Sequence, residues 1–176
     1  MTVPVEAITV PILSLSLPKE LSVIINEMTE QECHEVLGRS RFGRLGCSLG
    51  DEPYVVPLYV ACDSGFVYSL ATRGQKIEWM RRNPKVCIQI DEIKSATQWV
   101  SVIGRGCYEE LAEPQYADER IHAKKLLGKR PQWWLGALGE RQLKSGDELI
   151  EPLFFRIRIT SVTGLRATSA TDQSAP

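Results

Sequence analysis

Tyr54-Val55-Val56-Pro57-Leu58-Tyr59-Val60-Ala61-Cys62, then Asp63-Ser64-Gly65, then Phe66-Val67-Tyr68-Ser69-Leu70, is the stretch on which the fold turns. Both apolar runs are rich in β-branched and aromatic residues, which fit a pleated, half-buried surface. The three residues between them have the composition of a hairpin turn and are too few for the crossover that parallel strands need. The two strands are therefore read as antiparallel. Pro57 has no N–H to give to a ladder, so it marks an edge, a bulge or an opening towards a ligand. Ala71-Thr72-Arg73-Gly74-Gln75-Lys76 follows at once. It leaves the second strand, passes a hydroxyl residue and a glycine, and enters a helix that carries a lysine.

The same alternation extends in both directions. Residues 42–49 read as a strand, joined to 54–62 by the turn Gly50-Asp51-Glu52-Pro53. Before them Thr29-Glu30-Gln31-Glu32 is a capping box, opening a short helix that ends near Gly38. A helix over 74–82 stops at Asn83-Pro84, because a residue before proline is steered away from α geometry. Strands follow at 86–90 and 99–108. A helix spans 114–127, closed by Gly128 and blocked by Pro131. The last strand is 153–159, with Arg156 and Arg158 on its wet face. Short β–β connections and outlying helices predict a mainly β, α+β fold: a six-stranded antiparallel barrel with flanking helices.

The 176 residues fit one domain, with 43% hydrophobic and 24% charged residues, as in an ordinary globular protein. Residues 1–22 are apolar but broken by Pro4, Pro11 and Pro18, and are read as an N-terminal arm. The barrel domain is assigned to 23–167 and a frayed tail to 168–176. The formal net charge of −1 argues against a nucleic-acid partner held by a basic field. No apolar run is long enough for a membrane helix, so no membrane association is expected. The five cysteines are all more than a dozen residues apart, neither a disulfide framework nor a zinc ribbon, and fit a reducing cytoplasm.

The chemistry concentrates in the loop before the 74–82 helix. Backbone amides at a helix start, with a lysine nearby, make a phosphate site. Arg73, Lys76, Arg81, Arg82 and Lys85 stand against Glu78 alone, a local net of about +4 in a near-neutral chain. The spacing is neither a Walker loop nor a dinucleotide fingerprint. His34 and His122, the only histidines, have no second ligand at chelating spacing, so no metal is expected. No Gly-x-Ser-x-Gly elbow exists, which excludes that hydrolase class. Trp99 is a candidate surface for a planar ligand, and Trp79 a packing residue.

Five segments, in order, resemble the FMN-binding split-barrel family related to pyridoxamine 5′-phosphate oxidase, nearest its nitroimidazole-resistance-like branch. They are Arg41-Phe42-Gly43-Arg44-Leu45-Gly46, Pro53-Tyr54-Val55-Val56-Pro57-Leu58, the run from Thr72-Arg73-Gly74-Gln75-Lys76 to Asn83-Pro84, Gln98-Trp99-Val100-Ser101-Val102, and Ile157-Arg158-Ile159-Thr160-Ser161-Val162-Thr163-Gly164. The resemblance covers 28–167. It implies a split barrel that forms a homodimer, with FMN in two clefts across the interface. It assigns Lys76 to the FMN phosphate, with Gln75 and Thr72 in the same loop. Val56, Pro57 and Leu58 would offer main-chain contacts along the ring edge. Ser69 and Leu70 would flank the cofactor, Trp99 and Ser101 would face it, and Trp134 of the Trp133-Trp134 pair would reach the other subunit's site. The implied activity is oxidoreduction of a small molecule, with the flavin supplying the redox chemistry and no catalytic side chain assigned. A non-catalytic module of the same fold, holding flavin, haem or deazaflavin, is the alternative. Ser69 or Leu70 stands where some nitroimidazole-resistance-like members carry histidine, and the first phosphate-contacting arginine of the true oxidases is absent from Val55-Val56-Pro57. The first departure argues against nitro-group reduction of that type. The second leaves phosphate binding to Lys76 and the loop amides. The residues that hold pyridoxal phosphate in the true oxidases do not stand out, which argues against vitamin B6 oxidation.

Overall fold

The computed structural model describes residues 23–129 and 152–169. In chain order it places β1 (Val23–Glu27), α1 (Glu30–Arg39), β2 (Phe42–Leu49), β3 (Glu52–Tyr59), β4 (Ala61–Asp63), β5 (Phe66–Ala71), α2 (Gln75–Arg82), β6 (Lys85–Ser95), β7 (Gln98–Glu110), α3 (Ala117–Gly128) and β8 (Leu153–Ser169). All strand pairs are antiparallel, in the order β3-β2-β6-β7-β8-β5-β4, with β1 added to the far end of β8.

The strands number eight rather than six. The run read as one strand over 54–62 breaks at Val60, whose amide leaves the hairpin ladder and donates to the Arg41 carbonyl (2.9 Å), so β4 starts afresh at Ala61. β1 is the second addition. The last strand also continues to Ser169, through residues expected to be frayed, because β1 pairs with it from Leu165 to Ser169.

Alternation decides what faces inward. Leu45 and Cys47 of β2, Leu58 of β3, Val67 and Ala71 of β5, Ile88 and Ile90 of β6, Val102 of β7, and Phe155 and Ile157 of β8 belong to one buried cluster. β3 and β5 stand near opposite ends of the strand order, yet fill the same interior. The sheet is therefore rolled into a split barrel, and its single core is what offsets the entropy of ordering the strands. α1 packs Cys33, Val36 and Leu37 on one side of this core, and α2 inserts Ile77 and Met80. Outside the barrel, Leu111, Ala123 and Leu127 cover Tyr68 and Phe154 in a second cluster built on α3.

The β4–β5 turn has positive φ at both Ser64 (50°) and Gly65 (80°), the twist a two-residue hairpin needs. A register shift lies between Arg105 and Gly106, where β8 carries the extra residue Thr160. A Cβ at Gly106 would lie 2.3 Å from the Arg158 carbonyl oxygen, so only glycine lets the strands close there. The bulge reverses the inward parity of β8 from Ile157 to Val162.

Candidate functional site

The sequence-predicted phosphate loop forms the corner between β5 and α2. α1 is fully capped: the Thr29 side chain accepts from the Glu32 amide, and the Glu32 carboxylate accepts from the Thr29 amide (2.9 Å). α2 has no such device. Gly74 occupies its N-cap, no side chain caps the helix, and a Cβ there would meet nothing within 4 Å. The Gly74 backbone is extended, so it is the open space over the helix end that matters there. Amides in a first helical turn have no carbonyl one turn earlier, and the Gly74 N-cap has no side chain to stand in. Gln75 is exposed, and Thr72 and Lys76 are half-buried. Burial pushes the Cys47 thiol up, Cys87 adds to that, and the Lys76 ammonium opposes both, which sets Lys76 near the end of β2.

The corner is clamped from the other end of α2. Arg81 grips Glu110 of β7 through two bonds, Nε to Oε2 (2.8 Å) and Nη2 to Oε1 (2.9 Å), and also reaches Glu78 (3.0 Å). Glu110 further accepts from the Tyr108 hydroxyl (3.0 Å). The bond from Arg81 holds the Glu110 carboxyl below its ordinary range, despite partial burial. Burial first, and then Glu110, push the Tyr108 hydroxyl up, so it stays a donor. Asn83 donates from Nδ2 to the Ser48 carbonyl (3.0 Å), and Trp79 packs on Tyr54 with ring centroids 5.6 Å apart, the packing role read for it. Arg81–Glu110, Asn83–Ser48 and Trp79–Tyr54 do not show in local sequence, because each spans 25 or more residues.

Beside this corner, Ser69 is buried on β5 and donates to the Tyr59 carbonyl (2.8 Å), tying β5 to the end of β3. β3 ends the strand order, so Pro57 does lie on an edge strand; it is exposed and stands opposite Arg44. Val56 packs against the core and Leu58 is in it, so their contribution to any ligand is main chain. Leu70 packs against the outer, α3-side cluster. Val56, Pro57, Leu58, Ser69, Leu70, Thr72, Gln75 and Lys76 thus come from contiguous parts of one side of the barrel.

Trp99 and Ser101 do not join them. They pair with Ala167 and Leu165 of β8, whereas Ser69 pairs with Phe155, ten residues back along that strand. That is about 33 Å of strand contour. Both are half-buried, and Gln89 donates to the Ser101 hydroxyl (3.4 Å). Trp134 lies outside the described residues. Arg156 is not on a wet face as expected: its side chain is 14% exposed, lies over the Phe66 ring at 4.3 Å and bonds Glu109 at 2.8 Å. His34 is exposed on α1, and His122 bonds Asp63 at 2.9 Å. Among the described residues, no group of three or more His, Cys, Asp or Glu could hold a metal.

Comparison with known proteins places the chain beside one family and several relatives. Residues 29–166 match the family described as pyridoxamine 5′-phosphate oxidase. An uncharacterized protein of Rhizobium meliloti is 43% identical over 113 residues, 64% of this chain and 75% of that protein. The crystal structure of a FAD-binding protein from Mesorhizobium loti shares 36% identity and a TM-score of 0.68, over 84% of this chain and 99% of that one. A Corynebacterium glutamicum structure provisionally assigned as a pyridoxamine 5′-phosphate oxidase, at 24% identity and TM-score 0.62 over 82% and 93%, shares the fold.

Proposed function

The chain belongs to the pyridoxamine 5′-phosphate oxidase family, and from that premise we propose that it is an FMN-binding oxidoreductase acting on a small molecule as a homodimer in the cytoplasm. The observation that carries the reading is the uncapped N-terminus of α2, open to solvent, with Gln75 and Lys76 in its first turn. Helix amides and a lysine charge fit the flavin phosphate, and the Gly74 N-cap brings no side chain of its own to the helix end. The main chain at Val56, Pro57 and Leu58 and the strand at Ser69 and Leu70 adjoin this corner, where the flavin ring would extend. A bound flavin supplies the redox chemistry, and the protein supplies binding and orientation.

The separation of the two halves of the expected site along β8 supports the dimer. A contour of about 33 Å is more than one flavin mononucleotide spans, so Trp99 and Ser101 would serve the cofactor held by the partner's α2 corner. The outer sheet face near them carries exposed apolar side chains, Phe42, Ile93 and Leu165, with Ile93 71% exposed. A patch of this kind on one sheet face suits a second copy of the chain. FAD is the second candidate cofactor, since the Mesorhizobium loti relative binds it.

The test is to incubate the purified chain with FMN or FAD, desalt, record the visible spectrum, and identify the released flavin by chromatography. Retained FMN supports the reading. Retained FAD alone moves the cofactor to the dinucleotide. A colourless protein after both overturns it.

A further inference from the structure

The outer sheet face has a second end, beside the C-terminal half of α2, where Asn83 bonds Ser48 and Trp79 packs on Tyr54. There a groove of about 570 Å³ crosses β3, β2, β6, β7 and β8. Its floor is low because Gly46 has no side chain: a Cβ there would lie 2.7 Å from the Cys87 sulfur. Gly46, Cys87 and Arg105 are consecutive partners across β2, β6 and β7, and Cys107 stands opposite Lys85 one step along. The floor is thus flat, soft and apolar, and the Ser48 and Thr160 hydroxyls stand at its margins.

Two cations line this groove and no carboxylate does. Lys85 and Arg105 occupy diagonal positions on adjacent strands, about 7–8 Å apart at Cα, close enough for both to reach one anion. Arg39, Arg44, Arg81, Arg120, Arg156, Arg158 and Arg166 each grip a carboxylate, whereas among the described residues Arg41, Arg73 and Arg82 share with Arg105 the lack of an ion pair. Among the described residues, neither Lys85 nor Arg105 has a carboxylate within ion-pair distance. Two uncompensated cations over a flat apolar floor match a ligand with a planar ring and a compact dianion.

We propose that this groove binds an aromatic monophosphate of nucleoside-monophosphate size, its ring on the Gly46–Cys87 floor and its phosphate between Lys85 and Arg105. The groove borders α2 at Ser48 and Tyr54 but does not include its N-terminus at Gly74, Gln75 and Lys76, so the proposal does not depend on the flavin reading. The experiment titrates the full chain with adenosine 5′-monophosphate, adenosine and inorganic phosphate by calorimetry. Saturable binding of the monophosphate, much weaker binding of the other two, and a loss of about tenfold or more on each of Lys85→Ala and Arg105→Ala are expected. Both side chains are exposed, so the variants keep the core. Lys76→Ala should leave this binding intact while weakening FMN, and Arg105→Ala should do the reverse. No saturable binding overturns the proposal. So does binding that survives both groove variants, or binding that falls with Lys76→Ala, which would assign the monophosphate to the α2 corner.

Discussion

Lys76 and Gly106 show how much one position can decide. Lys76→Ala removes a charge-assisted contact worth about 1.5–3 kcal/mol, so FMN affinity should fall about 10- to 100-fold while riboflavin, which lacks the phosphate, is unaffected. Fluorescence titration with both ligands checks this, and an equal loss for each would take Lys76 off the phosphate. Gly106 has the opposite character, touching no ligand and answering only to backbone. Its missing Cβ would meet the Arg158 carbonyl at 2.3 Å, and a carbonyl held in a ladder cannot yield as a side-chain tip can. Gly106→Ala should cost about 1–3 kcal/mol, read as a lowered urea midpoint. Gly74→Ala, at a similarly small residue with open space above it, should leave the fold nearly unchanged. The phosphate loop was legible at this scale because strand exit, glycine and lysine are adjacent in sequence. Glu110 was not, since the importance of a carboxylate on β7 comes from Arg81, 29 residues earlier.

Among the elements, α2 is the one whose placement matters most to the site, and its anchor is titratable. Glu110 has its carboxyl held below the ordinary 4.5 by Arg81. The stability it contributes is therefore whole above about 4.5 and is lost as pH falls through its lowered folded value. Glu110→Gln should destabilise the protein by about 1 kcal/mol at neutral pH, at the top of the range for a partly exposed pair because the grip is bidentate. The gap from the parent should close as pH drops below about 4.5. Thermal melts of both proteins from pH 7 to 3 check it, and a gap independent of pH would mean that the Arg81 pair is not its source. The elements also show where sequence reading stops. β2 was found to the residue, because its alternation is unbroken from Phe42 to Leu49. β1 was missed: its five residues show no inward alternation, and they form a strand only because β8 is there to pair with. β8 was cut short at Ile159 because the bulge at Thr160 shifts the inward set from odd to even positions, which looks like the end of a pattern when it is a change of phase.

For the whole molecule, the proposed dimer ties the exposed apolar patch to the divided site, and one substitution tests both. Ile93→Asp places a charge at the centre of that patch without touching the core, so it should shift the protein from twice the monomer mass to the monomer in sedimentation. It should also lower flavin retention, because Trp99 and Ser101 of the partner would be lost. A dimer that survives this change would place the interface elsewhere. The strand order has one more consequence. β8 is the partner of β1, β5 and β7 together, yet it is the last element of the described chain to be made. A nascent chain emerging at about 5–20 residues per second must hold those three strands with their shared edge open until the last strand arrives. β3, β2, β6 and β7 can pair before β8 is made, but the barrel closes only with it, and until then the open edges of β5 and β7 are where a nascent chain would be exposed to aggregation.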